Sequence, residues 1–250
     1  MEIRRDEPLG RATVEAIHQG NAEALRHLLN QHSGLASARI GGQPGTCHAD
    51  NTGRTLLHVV TDWPGHFPNA PATVALLIDA GADVNARFIG PHTETPLHWA
   101  ASSDDIDVID VLLDKGADIE APGSVIGGGT PLADAVAFGQ WKAAHRLIER
   151  GAQSTLWQSA ALGLMDRVTR VFDENTAATP QDVTTAFWCA CHGGQRESAE
   201  YLLDRGADIN WIGFDKLTPL DAARRSGAEE LASWLLTRGA ESANRGMRQG

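Results

Sequence analysis

Apolar residues recur along this chain at helical spacing, in short segments that come in pairs. The second segment of one pair carries Ile109, Leu112 and Leu113 and is followed by Gly116. Side chains spaced by three and four residues share one face of a helix, and glycine suits the left-handed conformation that ends many helices. The pattern therefore predicts a repeat of two short helices, the second of which ends at a glycine.

The first helix of several pairs begins at a threonine followed by proline, as at Thr95 and Thr130. The threonine hydroxyl can cap the first helical turn, and proline suits the first helical position. The glycines that end the second helices form one series spaced by 35 residues and another spaced by 33: Gly81, Gly116 and Gly151, then Gly206 and Gly239. Because one such pair cannot bury its apolar face alone, neighbouring pairs must stack.

These features resemble the ankyrin-repeat family, whose signature is Thr-Pro-Leu-His-x-Ala at a period of about 33 residues. The match is clearest at residues 95–101, Thr-Pro-Leu-His-Trp-Ala-Ala, and the resemblance covers nearly the whole chain. It implies an all-α ankyrin-repeat solenoid of stacked helix-turn-helix units with short hairpin fingers. It also implies that His58 and His98 are structural histidines that bond the backbone of a neighbouring unit. In the sixth unit Trp188 stands in the histidine position, where we expect it to fill space.

The repeats predict one array of about seven units, although a chain of 250 residues could by length form two globular domains. The terminal units depart most from the signature, as expected where one face meets water. The predicted parts are a degenerate N-terminal cap at 9–31, a long connection at 34–52, central units at 53–210, a C-terminal cap at 216–243 and a disordered tail at 244–250.

The composition narrows the class of partner. With 32 acidic and 21 basic side chains the formal net charge is −11, which argues against nucleic acid or an anionic membrane, because both attract a basic surface. Apolar runs are shorter than the ~20 residues of a membrane-spanning helix, and the first residues lack the apolar stretch of a signal peptide. Three cysteines fit a reducing compartment, so we expect a cytoplasmic protein, and we expect a monomer.

An insertion in the second unit gives the leading functional hypothesis. Residues 63–71, Trp-Pro-Gly-His-Phe-Pro-Asn-Ala-Pro, separate the two helices of that unit and should lie beside the turn at residues 102–105. We predict a protein-interaction scaffold that binds a partner through its concave face and this loop, with the acidic balance favouring a basic segment of that partner. The predicted aromatic anchors are Trp63, Phe67, Phe88 and Trp99, and the predicted rim charges are Asp62, Asp104, Asp105 and Asp134.

The alternative hypothesis is a small-molecule-binding protein or an enzyme with a pocket formed by units two to four. Its polar groups would be His66, His98, Asp62 and Asp134, since a histidine with a carboxylate can perform acid–base chemistry. No phosphate-binding, dinucleotide-binding or hydrolase motif accompanies them, so we predict no catalytic residue and no cofactor. The identity of the partner or ligand, the oligomeric state and the role of the 34–52 connection stay open.

A cluster of cysteine and histidine near residue 190 raises the question of a metal site. Cys189 and Cys191 are two residues apart on a predicted helix, so their side chains point to different faces, whereas a shared metal would need them on one face. We interpret both thiols as buried and inert, and we predict no metal.

Overall fold

The computed structural model describes residues 1–41, 53–173 and 178–243. The chain divides into two compact units, Met1–Ala152 and Gln153–Gly250, which are described separately. Most of the predicted 34–52 connection and the whole predicted tail at 244–250 lie outside the described residues. The single array of about seven units stays a prediction.

The first unit is built from helix pairs. Within each pair the two helices pack together, and each also packs on the corresponding helix of the next pair, so that first helices contact first helices and second helices contact second helices. Among the described residues of this unit the helices are α1 (Pro8–His18), α2 (Ala22–Gln31), α3 (Leu56–Thr61), α4 (Ala70–Asp79), α5 (Pro96–Ser102), α6 (Ile106–Asp114), α7 (Pro131–Ala137) and α8 (Trp141–Glu149).

In this unit the helices begin at the predicted capping threonines and end at the predicted glycines. Thr55 and Thr95 form capping boxes at the starts of α3 and α5. Gly81 and Gly116 follow the second helices with φ of 97° and 91°, the left-handed conformation that a glycine adopts without steric cost. The apolar face between the row of first helices and the row of second helices is buried, and Leu112 on α6 is an example of a fully buried residue there. The predicted repeat of two short helices is therefore confirmed.

A small sheet is added at the start of the first unit. Strand β1 (Glu2–Arg4) pairs in parallel with β2 (Arg39–Gly41), which pairs in antiparallel fashion with β3 (Arg54–Thr55). The Arg39 guanidinium donates to the carbonyl oxygens of Gly53 and Arg87 at 2.9 and 2.8 Å and so ties the sheet to the next finger. Strands of two or three residues are too short to show an alternating pattern, which is why the sequence predicted only helices and fingers here.

The second unit repeats the helix-pair plan around a core that includes Phe187, which is fully buried. Its described helices are α9 (Leu156–Ala161), α10 (Met165–Asp173), α11 (Pro180–His192), α12 (Arg196–Leu203), α13 (Pro219–Arg225) and α14 (Glu229–Thr237). Helix α11 packs on both α9 and α13. It has 13 residues against six in α9 and seven in α13, because Thr179 caps it about two turns before the position of the repeat signature.

The all-α class and the predicted helix pairs are confirmed, with the three-stranded sheet as an addition. Over the residues that the structure describes, no helix is both long enough and apolar enough to span a membrane.

Candidate functional site

The insertion of the second repeat forms a loop between α3 and α4 that carries the most exposed tryptophan described in the chain. The side chain of Trp63 is 79% exposed. Its backbone N–H donates to Asp62 Oδ1 at 3.1 Å, and the N–H of Gly65 donates to the Asp62 carbonyl at 2.8 Å. The start of the loop is therefore ordered by its own hydrogen bonds, while none of the residues that the structure describes buries the indole.

The loop is bonded to the repeat that follows it. The N–H of His66 donates to Asp105 Oδ2 at 2.8 Å, and its ring Nε2 donates to the Ser103 carbonyl at 3.0 Å. Gly65 approaches so closely that a Cβ there would lie 2.7 Å from the Ser103 side chain. The predicted neighbourhood of the loop and the turn at 102–105 is confirmed.

The same loop is also bonded to the repeat that precedes it. Asn69 Nδ2 donates to the Gly20 carbonyl at 3.0 Å, and the ring of Phe67 stacks on His18 with centroids 4.5 Å apart and planes 11° apart. Burial beneath this ring lowers the pKa of His18, and the nearby charge of Arg5 acts in the same direction. Phe67 is therefore an anchor within the protein, which leaves Trp63 as the free aromatic group of the loop.

Three of the predicted rim carboxylates already have partners inside the protein. Asp62 forms an ion pair with Arg54 at 2.5 Å. Asp104 Oδ1 accepts the N–H of Ala143 at 2.7 Å, near the start of α8. Asp105 is buried, caps α6 and accepts the N–H of His66. Helix N-termini leave backbone N–H groups that need acceptors, and Asp104 and Asp105 supply them for α8 and α6. The prediction of Asp105 as a rim charge is therefore corrected, whereas Asp62 and Asp104 are partly exposed and stay predicted rim charges with partners inside the protein.

The fourth predicted rim charge, Asp134, is fully buried, with 0% of its surface exposed. Its Oδ1 accepts a short hydrogen bond from the Ser124 hydroxyl. Burial raises the pKa of Asp134 to about 8, the Ser124 bond opposes that rise, and the charge of Glu94 adds to it. Asp134 is thus not at a surface rim, and its carboxyl group favours the protonated form in the fold.

Two of the predicted aromatic anchors belong to an internal cluster. Phe88 is buried. Trp99 is half-buried, lies edge-on to His58 with centroids 4.9 Å apart, and donates its Nε1–H to Glu94 Oε2 at 2.8 Å. The guanidinium carbon of Arg54 lies 5.4 Å from the centroid of the Trp99 ring. The prediction that Phe88 is a surface anchor is corrected, and Trp99 has structural partners on its edge and on one face.

The repeat histidines join successive repeats. His58 Nδ1 accepts the backbone N–H of Thr55 at 3.3 Å, and its Nε2 donates to the Glu94 carbonyl at 3.1 Å. His98 bonds its own capping threonine in the same way and donates to the Gly129 carbonyl at 3.3 Å. Burial lowers the pKa of His58 to about 3 and that of His98 to about 4. The structural role that the resemblance implied is confirmed.

The four groups of the alternative pocket have separate partners. His66 bonds Ser103 and Asp62 pairs with Arg54, whereas His98 and Asp134 bond the carbonyl and hydroxyl groups of residues 124–129. Within the part of the chain that the structure describes, no hydrogen bond or ion pair is observed between any two of the four. The structure therefore gives each a structural role, and no constellation for acid–base chemistry is observed in the described part of the chain.

The thiols of the second unit are buried as interpreted. Burial raises the pKa of Cys189 to about 12 and raises that of Cys191 as well. Within residues 1–41, 53–173 and 178–243, no group of three or more histidine, cysteine or carboxylate side chains is arranged to hold a metal ion.

Trp188 was expected to fill space but makes a specific bond. Its indole Nε1–H donates to the Leu217 carbonyl at 2.9 Å, and its ring is buried beside Phe214 with centroids 5.1 Å apart. Leu217 immediately precedes Thr218, just as Glu94 precedes Thr95, so the indole takes the place of the repeat histidine. The alignment of position 188 with the histidine position was the signal for this role.

The residues that hold the Trp63 loop were also missed from the sequence. Asn69 is one residue of the insertion and Gly20 lies within the predicted N-terminal cap, and the sequence analysis gave neither a role. A Cβ at Gly20 would lie 2.0 Å from the Pro68 carbonyl oxygen, so only glycine fits beneath the loop. The sequence around either residue does not predict a contact with a residue 49 positions away along the chain.

Comparison with known proteins gives a family and several distant relatives. A family model described as ankyrin repeats (3 copies) matches residues 69–158 and 156–245. Rabankyrin-5 of Mus musculus and of Homo sapiens is 28% identical over 229 residues, which cover 90% of this chain and 17% of the relative. An ankyrin repeat and KH domain-containing protein of Caenorhabditis briggsae is 29% identical over 181 residues, 68% of this chain and 7% of the relative. The chain thus spans less than a fifth of the length of these relatives.

Proposed function

Because the chain belongs to the ankyrin-repeat family, whose repeats are general protein-interaction modules, we propose that it is a scaffold that binds a partner protein through Trp63 and the loop that carries it. One observation carries the proposal: Trp63 is 79% exposed on a loop that is bonded to the repeats on both sides. A loop whose backbone is already ordered loses little conformational freedom on binding, and tryptophan is enriched among residues that dominate binding energy.

A second apolar group lies on the same kind of turn two repeats later. Phe138, at the end of α7, is half exposed, and Gln140 in its turn donates to the Ser102 carbonyl at 2.9 Å. The turn edge (residues 62–69, 102–105 and 138–140) is therefore continuous through hydrogen bonds between successive turns. We propose that the partner covers this edge, with Trp63 as the main anchor and the concave face as a secondary contact.

The charge of the chain supports a partner with a basic surround rather than a nucleic acid. The net charge of −11 acts at long range and raises the rate of encounter with a basic surface. At short range, however, Asp62 and Asp104 are already paired, so they contribute little to direct contacts. The partner would therefore offer an apolar pocket for the indole, surrounded by a basic surface. The proposal also keeps this chain as a cytoplasmic monomer.

The experiment compares the wild-type chain with Trp63→Ala, each immobilised at equal density and exposed to the same lysate, with retained proteins quantified by mass spectrometry. The affinity of each differentially retained protein is then measured in purified form. We expect Trp63→Ala to weaken binding about 30-fold, equivalent to ~2 kcal/mol, because an anchoring tryptophan is lost.

A matched control removes a tryptophan elsewhere. Trp234 in the second unit is half-buried with Arg196 and Arg238 beside its ring, so Trp234→Ala should retain the partner. Equal affinity of the wild type, Trp63→Ala and Trp234→Ala, with unchanged thermal unfolding, would remove the Trp63 loop from the binding site.

A further inference from the structure

The finger between the third and fourth repeats is rich in glycine and carries no titratable side chain. We call residues 123–129, Gly-Ser-Val-Ile-Gly-Gly-Gly, the glycine finger. Its own hydrogen bonds include the N–H of Gly128 to the Ser124 carbonyl at 3.0 Å and the N–H of Ser124 to the Gly129 carbonyl at 3.1 Å. Gly127 and Gly128 have positive φ, so little side-chain packing fixes the finger from within.

Two buried carboxyl groups bond the glycine finger. Glu94 Oε1 accepts the N–H of Val125 at 3.1 Å, and Asp134 Oδ1 accepts the hydroxyl of Ser124. The same hydroxyl oxygen accepts the N–H of Ile126 at 2.8 Å. Glu94 is 5% exposed and Asp134 0% exposed, so both acids bond the finger from within the fold.

The second oxygen of Asp134 has no hydrogen-bond donor among the described residues. The Asp134 carboxyl group lies within hydrogen-bonding reach of the Glu94 side chain, to which a protonated Asp134 can donate. Glu94 Oε2 in turn accepts the Trp99 indole N–H and lies 2.8 Å from His92 Nδ1. Two adjacent carboxylates in a dry site repel each other strongly, and a single proton between them converts that repulsion into a hydrogen bond.

Several charged groups lie near this pair. His92 contacts Glu94, Arg54 lies over the Trp99 ring that bonds Glu94, and Arg87 donates to the carbonyl of the adjacent Thr93. His98 is also near, and burial lowers its pKa to about 4. On α8, which packs on α7, Lys142 and His145 are exposed and Arg146 pairs with Asp110 and Glu149. No ion pair to Asp134 appears among the described residues.

We propose that Asp134 and Glu94 share one proton. This proton acts as a latch that holds the glycine finger closed against the rest of the first unit. The raised pKa of Asp134, about 8, agrees with the geometry, and burial is its main cause. The closed finger holds the proton, whereas an open finger exposes Asp134 to water and returns it toward its ordinary pKa of 3.8. Rising pH between these values therefore favours opening. No residue of the Trp63 loop takes part, so this inference is independent of the proposed function.

The test measures hydrogen-exchange protection of the Val125 and Ile126 amides in the full chain between pH 5 and 9, corrected for the intrinsic exchange rate. One linked proton makes the protection factor fall by up to tenfold per pH unit until about pH 8, above which it levels off. A ¹³C titration of the Asp134 carboxyl group should show a midpoint well above 4. A protection factor that is independent of pH, or an ordinary carboxyl midpoint, would overturn the proposal.

Variants separate the shared proton from ordinary packing. In Asp134→Asn the amide can donate to Glu94 and accept from Ser124 at every pH, so protection should lose its pH dependence. Glu94→Gln removes the neighbouring charge but leaves Asp134 buried, so it should lower the pH at which the fall in protection levels off, and it provides the test if the first variant folds poorly. The control Asp182→Asn changes an exposed carboxylate that also bonds a threonine and should keep the wild-type profile. A wild-type profile in both Asp134→Asn and Glu94→Gln contradicts the latch.

Discussion

The two units make the same contact between repeats with different side chains. In the first unit His98 donates its ring N–H to the Gly129 carbonyl, and in the second unit Trp188 donates its indole N–H to the Leu217 carbonyl. Both carbonyls belong to the residue before a helix-capping threonine. In both junctions the acceptor is the carbonyl before the capping threonine. The donor differs: it is an imidazole N–H in the first unit and an indole N–H in the second.

The two donors differ in what else they do. The second nitrogen of His98 accepts a bond from its own capping threonine, whereas an indole has no acceptor. The cap of α11 is accordingly formed elsewhere, by Thr179 with Asp182. Trp188 adds a ring that packs on Phe214, and it does not titrate. The junctions of the first unit are therefore sensitive to acid and that of Trp188 is not.

The largest expected effect is that of Trp188→Ala. The substitution removes a buried ring and leaves the Leu217 carbonyl without its donor, so we expect a loss of about 3–5 kcal/mol in the free energy of unfolding. Trp188→His places the first unit's donor in the second unit and should recover part of that loss. Urea titration followed by circular dichroism gives both values. If Trp188→His is no more stable than Trp188→Ala, the donors are not interchangeable.

A smaller effect is expected for His98→Ala, about 2–3 kcal/mol, because the Gly129 carbonyl and the helix cap both lose a partner. The chain offers its own control: Gln158 occupies the corresponding position of α9, and its Oε1 accepts the N–H of Thr155 at 2.8 Å. His98→Gln should therefore keep the cap and lose less stability than His98→Ala. Equal losses in urea titrations of the two variants would show that the cap contributes nothing measurable.

The smallest effect between neighbouring conditions is the change in stability per pH unit. His58 and His98 have pKa values of about 3 and 4 in the fold against 6.5 when unfolded, so each stabilises the fold as pH rises toward 6.5. Asp134, raised from 3.8 to about 8, acts in the opposite direction. From pH 4 to 6.5 the two histidines outweigh the aspartate by one proton, so the free energy of unfolding should rise by about 1.4 kcal/mol per pH unit. From pH 6.5 to 8 only Asp134 contributes, so the free energy of unfolding should fall.

Denaturant titrations at a series of pH values test this slope. The difference between the wild type and Asp134→Asn isolates the falling part, and Trp188→His should add a new rising part below pH 6.5. A difference curve that is flat from pH 5 to 8 would show that Asp134 is ionised in the folded protein at neutral pH.

The sequence predicted those parts of the fold that depend on local pattern. Gly116 ends a helix and Thr95 begins one because each acts on its own turn. Asp105 looked like a surface charge, since nothing near it in the sequence shows that the N–H of His66, 39 residues away, will reach its carboxylate. Trp188 was misjudged for the same reason, because its acceptor lies 29 residues further along the chain. Residue type alone does not reveal a distant partner.

The Trp63 loop has a mechanical consequence. It is tied to Gly20 of the preceding repeat and to Ser103 and Asp105 of the following one, so it works as a strap across three successive repeats. If one of these repeats moves relative to another, the loop cannot move with it without distorting its hydrogen bonds to the other repeat. Bending between these three repeats would therefore move Trp63, and force on the loop would be shared among three helix pairs.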